Sequence, residues 1–129
     1  MRTQLPGDLH APSAARAFVA DAFEGEVGAR ETPETHDVVL VVSELVTNSV
    51  RAGADVIGVE LVATDLRVEL SVIDDAPGVP VTQHPGWDEL HGRGLAIVED
   101  VADEWHTTAL DRGKKVTATW SRPAGRQVR

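Results

Sequence analysis

The chain has 129 residues, 42% hydrophobic and 26% charged, which fits one soluble globular domain spanning 1–129 and is too short for two ordinary cores. A net charge of −9 with no Lys/Arg cluster to override it makes nucleic acid a poor direct partner, although a few cations, a divalent metal and backbone amides can still hold a nucleotide. No apolar run approaches the roughly 20 residues that cross a bilayer, Met1 to His10 has no signal-peptide core, and there are no cysteines, so the expectation is a cytoplasmic protein with no membrane partner.

Ser13 to Glu24 carries apolar residues at helical spacing, with Ala14, Phe18 and Phe23 available to a core, and predicts a first helix. Gly25 and Gly28 interrupt that pattern. Thr32-Pro33-Glu34 then reads as an N-cap, a proline at the first helical position and an acidic first turn. The second helix starts there, runs through Val50 and stops near Gly53. Val38, Val39, Val42, Leu45, Val46 and Val50 form its expected core stripe, while Asp37, Leu40 and Val41 share the other side with Glu44, Asn48 and Arg51.

Val56 to Ala63 and Leu66 to Ile73 are rich in β-branched residues and predict an antiparallel hairpin turning at Thr64-Asp65. Leu66, Val68, Leu70 and Val72 alternate with more polar residues, so one face is expected to be covered. Asp74 to His91 holds Pro77, Gly78, Pro80, Pro85 and Gly86 and has no periodicity. Such a loop inside a compact domain commonly serves a ligand, and its part from Val81 to His91 is expected to be a lid over the ligand. Gly94 to Asp103 reads as a helix with Leu95, Val98, Ala102 and Trp105 in a stripe. Trp105 to Leu110 and Lys115 to Trp120 then form a strand pair around Asp111-Arg112-Gly113, before a frayed tail beyond Pro123. Helix, helix, strand, strand, helix, strand, strand predicts an α/β two-layer sandwich, with helices on one face of a mixed, largely antiparallel sheet.

Three segments carry candidate chemistry. Glu44, Asn48 and Arg51 project within one narrow sector of the second helix, although an isolated E-x-x-x-N is also what the solvated face of an amphipathic helix shows. Asp74 and Asp75 stand where a strand gives way to a glycine-containing turn, a place for a carboxylate to accept from a ligand amine or simply an Asx turn. Gly92-Arg93-Gly94-Leu95 opens a helix, where glycine-flanked amides suit phosphate, but G-x-G at a helix start is common. There is no G-x-S-x-G elbow and no H-E-x-x-H spacing, which argues against a serine hydrolase and a zinc site. His84, Trp87 and His91 match no pattern.

In this order, Glu44-Leu-Val-Thr-Asn48-Ser-Val-Arg51, Val72-Ile-Asp74-Asp-Ala-Pro77-Gly-Val-Pro80 and Gly92-Arg93-Gly94-Leu95-Ala-Ile-Val98 resemble the N, G1 and G2 boxes of the GHKL ATPase superfamily, which includes gyrase, histidine kinases and MutL. The wording is nearest to that of short stand-alone anti-sigma kinases of actinobacteria, and the resemblance covers nearly the whole chain. It implies a Bergerat ATP-binding fold, ATP and Mg²⁺ as cofactors, Asn48 as a metal ligand and Glu44 as the catalytic base. It also implies Asp74 as the acceptor of the adenine amine, with Arg51, Ala76, Gly78, Gly92, Arg93, Gly94 and Leu95 around the nucleotide.

By the same resemblance the activity is that of a protein serine/threonine kinase. Its partners would be a STAS-domain anti-anti-sigma factor as substrate, a sigma factor as the alternative partner, and a second copy in a homodimer. Two positions depart from the superfamily pattern. Ala76 stands where D-x-G-x-G has glycine, and Lys115 aligns where many relatives have a threonine that assists the aspartate, with Thr117 two residues on. A binding module that holds ATP, or has lost it, and sequesters a partner without phosphoryl transfer is the competing expectation.

Overall fold

The structure, a computed structural model, describes residues 1–27, 33, 35–77 and 95–122. Among these residues five strands form one sheet: β1 (Arg2–Pro6), β2 (Val56–Ala63), β3 (Arg67–Asp74), β4 (Glu104–Ala109) and β5 (Lys114–Ser121). Their order across the sheet is β1-β2-β3-β5-β4, and every neighbouring pair is antiparallel. The expected sandwich is therefore present, with a sheet that is wholly rather than largely antiparallel and one strand wider than predicted.

Helix α1 (Ala11–Ala22) begins earlier than predicted because Pro12 fits the first turn, where its missing N–H costs nothing. The shift places Ala11, Ala15, Val19 and Ala22 on the buried face and leaves Ala14 exposed, contrary to expectation. A single π-helical turn, Phe23–Val27, follows and buries Phe23. Helix α2 (Thr35–Arg51) starts two residues beyond Pro33, the expected first helical position. Thr32 and Glu34 lie outside the described residues.

α2 packs both along α1 and onto β3, so its buried arc is wider than that of a helix with one neighbour. That is why Val41 and Ser49 are buried with Val38, Val42, Leu45 and Val46, although Val41 was grouped with the polar side. Val39 and Val50, assigned to the core stripe, are only partly buried and pack at its margin.

Below the helices the inner face of the sheet presents Ile57, Val59 and Leu61 from β2, Val68, Leu70 and Val72 from β3, and Val116, Ala118 and Trp120 from β5. Residues paired across antiparallel strands share a face, so the register of Leu70 with Ala118 and Leu61 aligns these rows into one core. Leu66, expected in the covered row, is 65% exposed because β3 starts only at Arg67 and Leu66 belongs to the turn. Helix α3 (95–101) adds Val98 to the core, and the Trp120 indole N–H donates to the Val101 carbonyl at 3.0 Å, tying the end of α3 to β5. No helix among the described residues is long and apolar enough to cross a membrane.

Candidate functional site

The end of α2 is built by a Schellman motif. Gly53, at φ +90°, donates to the Val50 carbonyl, and Ala54 donates to the Ser49 carbonyl at 3.1 Å. This turns the chain into β2, which pairs with β3 in a register that sets Ile57 opposite Asp74. The C-terminal end of β3 is thereby brought beneath the last turns of α2.

Asp74 faces the helix layer in the same row as Leu70 and Val72, and its side chain is 1% exposed. A buried carboxylate has to be satisfied by donors, and here it is. Oδ2 accepts from the Ser49 hydroxyl at 2.5 Å and from the Lys114 ammonium at 2.7 Å, while Oδ1 accepts from the Ala76 backbone amide at 3.1 Å. Ala76 is itself 4% exposed, so its methyl group is packed into the interior beside this carboxylate.

Ser49 and Lys114 were not singled out from sequence. Ser49, a polar residue directly after Asn48 in the first motif, was the available signal. Lys115, aligned with the threonine that assists the aspartate in relatives, does not share the face of Asp74. Lys115 pairs with Ile73 and Thr117 with Ser71, both on the sheet face away from the helices, where the Ser71 and Thr117 hydroxyls bond each other at 2.9 Å. Lys114 pairs directly with Asp74 and so shares its face.

Asp75 points to a different task. Its Oδ1 accepts from the backbone amides of Asp55 at 2.8 Å and Val56 at 3.2 Å, fastening the entry of β2 to the exit of β3. The amides of Val56 and then Asp55 hold its carboxyl below the usual carboxylate range. A depressed folded-state pKa contributes stability above the unfolded value and loses it as pH falls through the folded one. Asp75→Asn is therefore expected to be less stable than wild type at neutral pH, with the gap closing on acidification below about pH 4. Urea midpoints of both proteins between neutral and acidic pH test this, and a gap independent of pH would remove the charge from the account.

Glu44 and Asn48 are half-buried on the margin between the buried arc of α2 and solvent, while Arg51 ends the helix exposed. Among the described residues neither the Glu44 carboxylate nor the Asn48 amide has a side-chain hydrogen-bond partner, whereas Ser43 nearby receives one from Arg16 at 2.9 Å. Asn48 adjoins Ser49 in the chain, so its half-buried carbonyl oxygen stands one residue from the group that holds Asp74. An uncommitted amide oxygen is a donor of the kind Mg²⁺ takes.

Leu95 is half-buried at the start of α3. Gly78, Gly92, Arg93, Gly94, the expected lid from Val81 to His91 with His84 and Trp87, and the tail beyond Pro123 lie outside the described residues.

A family model described as histidine kinase-, DNA gyrase B- and HSP90-like ATPase matches residues 33–124. Comparison with curated protein sequences gave no match. Among solved structures, the chain is similar to the RsbU and RsbW domains of Rv1364c from Mycobacterium tuberculosis, with a TM-score of 0.65 and 26% sequence identity. The similarity covers 96% of this chain and 34% of that one. The family match spans most of the chain and takes in α2, the β3 exit and α3, so this protein belongs to the histidine kinase-, DNA gyrase B- and HSP90-like ATPase family.

Proposed function

We propose that this protein binds ATP with Mg²⁺ and transfers a phosphoryl group to a serine or threonine of a STAS-domain anti-anti-sigma factor, with a sigma factor as its alternative partner. The observation that carries the nucleotide reading is that Asn48, one turn beyond Glu44, directly precedes Ser49, the α2 residue hydrogen-bonded to the buried Asp74. The C-terminal half of α2 thus carries Glu44 and Asn48, without side-chain hydrogen bonds among the described residues, and through Ser49 holds the carboxylate at the end of β3. The partner reading rests on likeness to the structure containing RsbU and RsbW domains, since a site of this chemistry does not itself choose a protein substrate.

In this reading Asp74 accepts from the amino group of adenine, Asn48 offers its carbonyl oxygen to the metal, and Arg51 adds positive charge at the end of α2. Bound Mg²⁺ supplies charge compensation to the phosphates. Glu44, one turn before Asn48, takes the proton of the attacking hydroxyl as the new oxygen–phosphorus bond forms and ADP leaves. Gly78, Gly92, Arg93, Gly94 and Leu95 are assigned to the nucleotide on the strength of their motifs. A homodimer and a cytoplasmic location belong to the same proposal.

Calorimetry is expected to show Mg²⁺-dependent binding of ATP and ADP tighter than that of GTP, because guanine carries an acceptor where adenine carries a donor. Labelled ATP, incubated with the protein and STAS proteins from the same genome, is expected to label one of them on serine or threonine. ATP binding without transfer to any STAS protein would favour the module that sequesters a partner without catalysis. No adenine nucleotide binding by a folded sample would overturn the nucleotide reading.

A further inference from the structure

Three donors already hold the Asp74 carboxylate before any ligand arrives. Ser49 and Lys114 donate to Oδ2 and the Ala76 amide donates to Oδ1, leaving the side chain 1% exposed. An incoming amine must replace one of these donors or squeeze beside it. Ser49 is 1% exposed within α2, and the Ala76 donor is main chain of a residue 4% exposed, so neither can leave without moving the framework. Lys114 differs from both. Its side chain is 18% exposed, and its charge sits at the end of a flexible four-carbon stem that can swing into water.

We infer that Lys114 competes with the base of the incoming nucleotide for Asp74, and thereby sets both the affinity for adenine and the margin by which adenine is preferred over 6-oxo purines. The inference rests on the ATP-binding reading above. A bare carboxylate offers a ligand only acceptors, whereas the Asp74–Lys114 pair also offers donors, because an ammonium has three N–H groups and Asp74 takes one. Adenine brings an amino donor that competes with Lys114 for Asp74. Guanine brings a carbonyl acceptor, which the ammonium can meet without leaving. The pair therefore weakens adenine binding and softens the rejection of guanine, and Lys114 acts as a specificity-determining residue.

Binding of ADP and GDP to wild type and Lys114→Met tests this, since methionine keeps much of the stem and removes the charge. The ADP dissociation constant is expected to fall by roughly tenfold, the scale of one charge-assisted hydrogen bond removed from competition. GDP is not expected to tighten, so the ratio of GDP to ADP dissociation constants should rise by about the same factor. An unchanged or smaller ratio overturns the inference.

A second measurement needs no substitution. In nitrogen-15 lysine spectra of wild type, the hydrogen-bonded Lys114 ammonium should be protected from exchange, and saturation with ADP should remove that protection. A signal unmoved by saturating ADP overturns the inference even if Lys114→Met fails to fold. If ADP binds neither folded protein, the ATP-binding reading itself falls and this one with it. ADP binding with both ratio and signal unmoved overturns this inference alone.

Discussion

Glu44→Ala is expected to keep ATP affinity close to wild type while phosphoryl transfer falls by roughly 10²–10⁴-fold, the usual worth of a positioned general base. The expectation comes from what Glu44 touches and what it does not. It lies at the margin of the buried arc of α2 with no side-chain hydrogen bond among the described residues, so truncating it breaks no internal network. Asn48→Ala is expected to behave differently, weakening Mg²⁺-dependent ATP binding as well as turnover, because it removes a metal ligand from the same helix.

Thermal melts with and without Mg·ATP, beside a phosphotransfer assay, separate the two. If both positions were only part of a solvated helix face, each substitution would shift stability by no more than about 0.5 kcal/mol and leave binding and transfer alone. Wild type and Glu44→Ala binding ATP alike, with neither phosphorylating any STAS protein, would leave Glu44 without a catalytic role.

Gly113→Ala carries the largest expected loss of stability. Gly113 sits at φ +92° in the β4–β5 turn, and a Cβ placed on it would stand 1.7 Å from the Asp74 carbonyl oxygen and 2.7 Å from the Asp75 Cα. Both obstacles are main chain, so no rotamer change relieves them. Gly53, at φ +90°, has the same conformational requirement, yet nothing lies within 4 Å of its Cβ position.

Gly53→Ala should therefore lose only the left-handed backbone preference, about 1 kcal/mol, whereas Gly113→Ala adds the displacement of two strands and should lose on the order of 3 kcal/mol or more. In a domain of this size the second figure corresponds to a Tm lower by roughly 10 °C. Denaturant unfolding of the pair isolates the close approach, and equal losses would show that it contributes nothing. Because Gly113 precedes Lys114, the same substitution is also expected to loosen the ion pair on Asp74.

How far the sequence could be read depended on whether a segment's structure was decided locally. α2, the two hairpins and the glycine at the end of α2 were legible because periodicity, β-branching and turn residues act over a few positions. β1 was not. Arg2–Pro6 is five residues long and ends in proline, and it becomes a strand only because β2 offers it an edge, pairing Arg2 with Glu60 from beyond both helices. The burial of Val41 was likewise hidden, since one helix's periodicity does not reveal that two neighbours pack on it.

The candidate site divides in the same way. Glu44, Asn48 and Asp74 stood out as motif residues, and the fold sets Ser49, neighbour of Asn48, on Asp74. The occupant of Asp74 was missed because it depends on strand register. A one-residue difference moves a side chain to the opposite face, so Lys114 reaches the carboxylate while Lys115 and Thr117 point away.

Four stretches of chain meet at one end of the sheet. The Cβ position of Gly7 lies against the Ala54 carbonyl, Asp75 grips the amides of Asp55 and Val56, and Gly113 lies against Asp74. At the other end the β2–β3 turn is exposed from Thr64 to Leu66. The domain thus has a crowded end, which carries the candidate site, and an exposed turn one strand-length away, held by Thr64 and Arg122. A reporter dye or surface tether belongs on that turn at Asp65, between the residues that hold it, and a cysteine there, in a protein with none of its own, would accept one at a distance from Asp74.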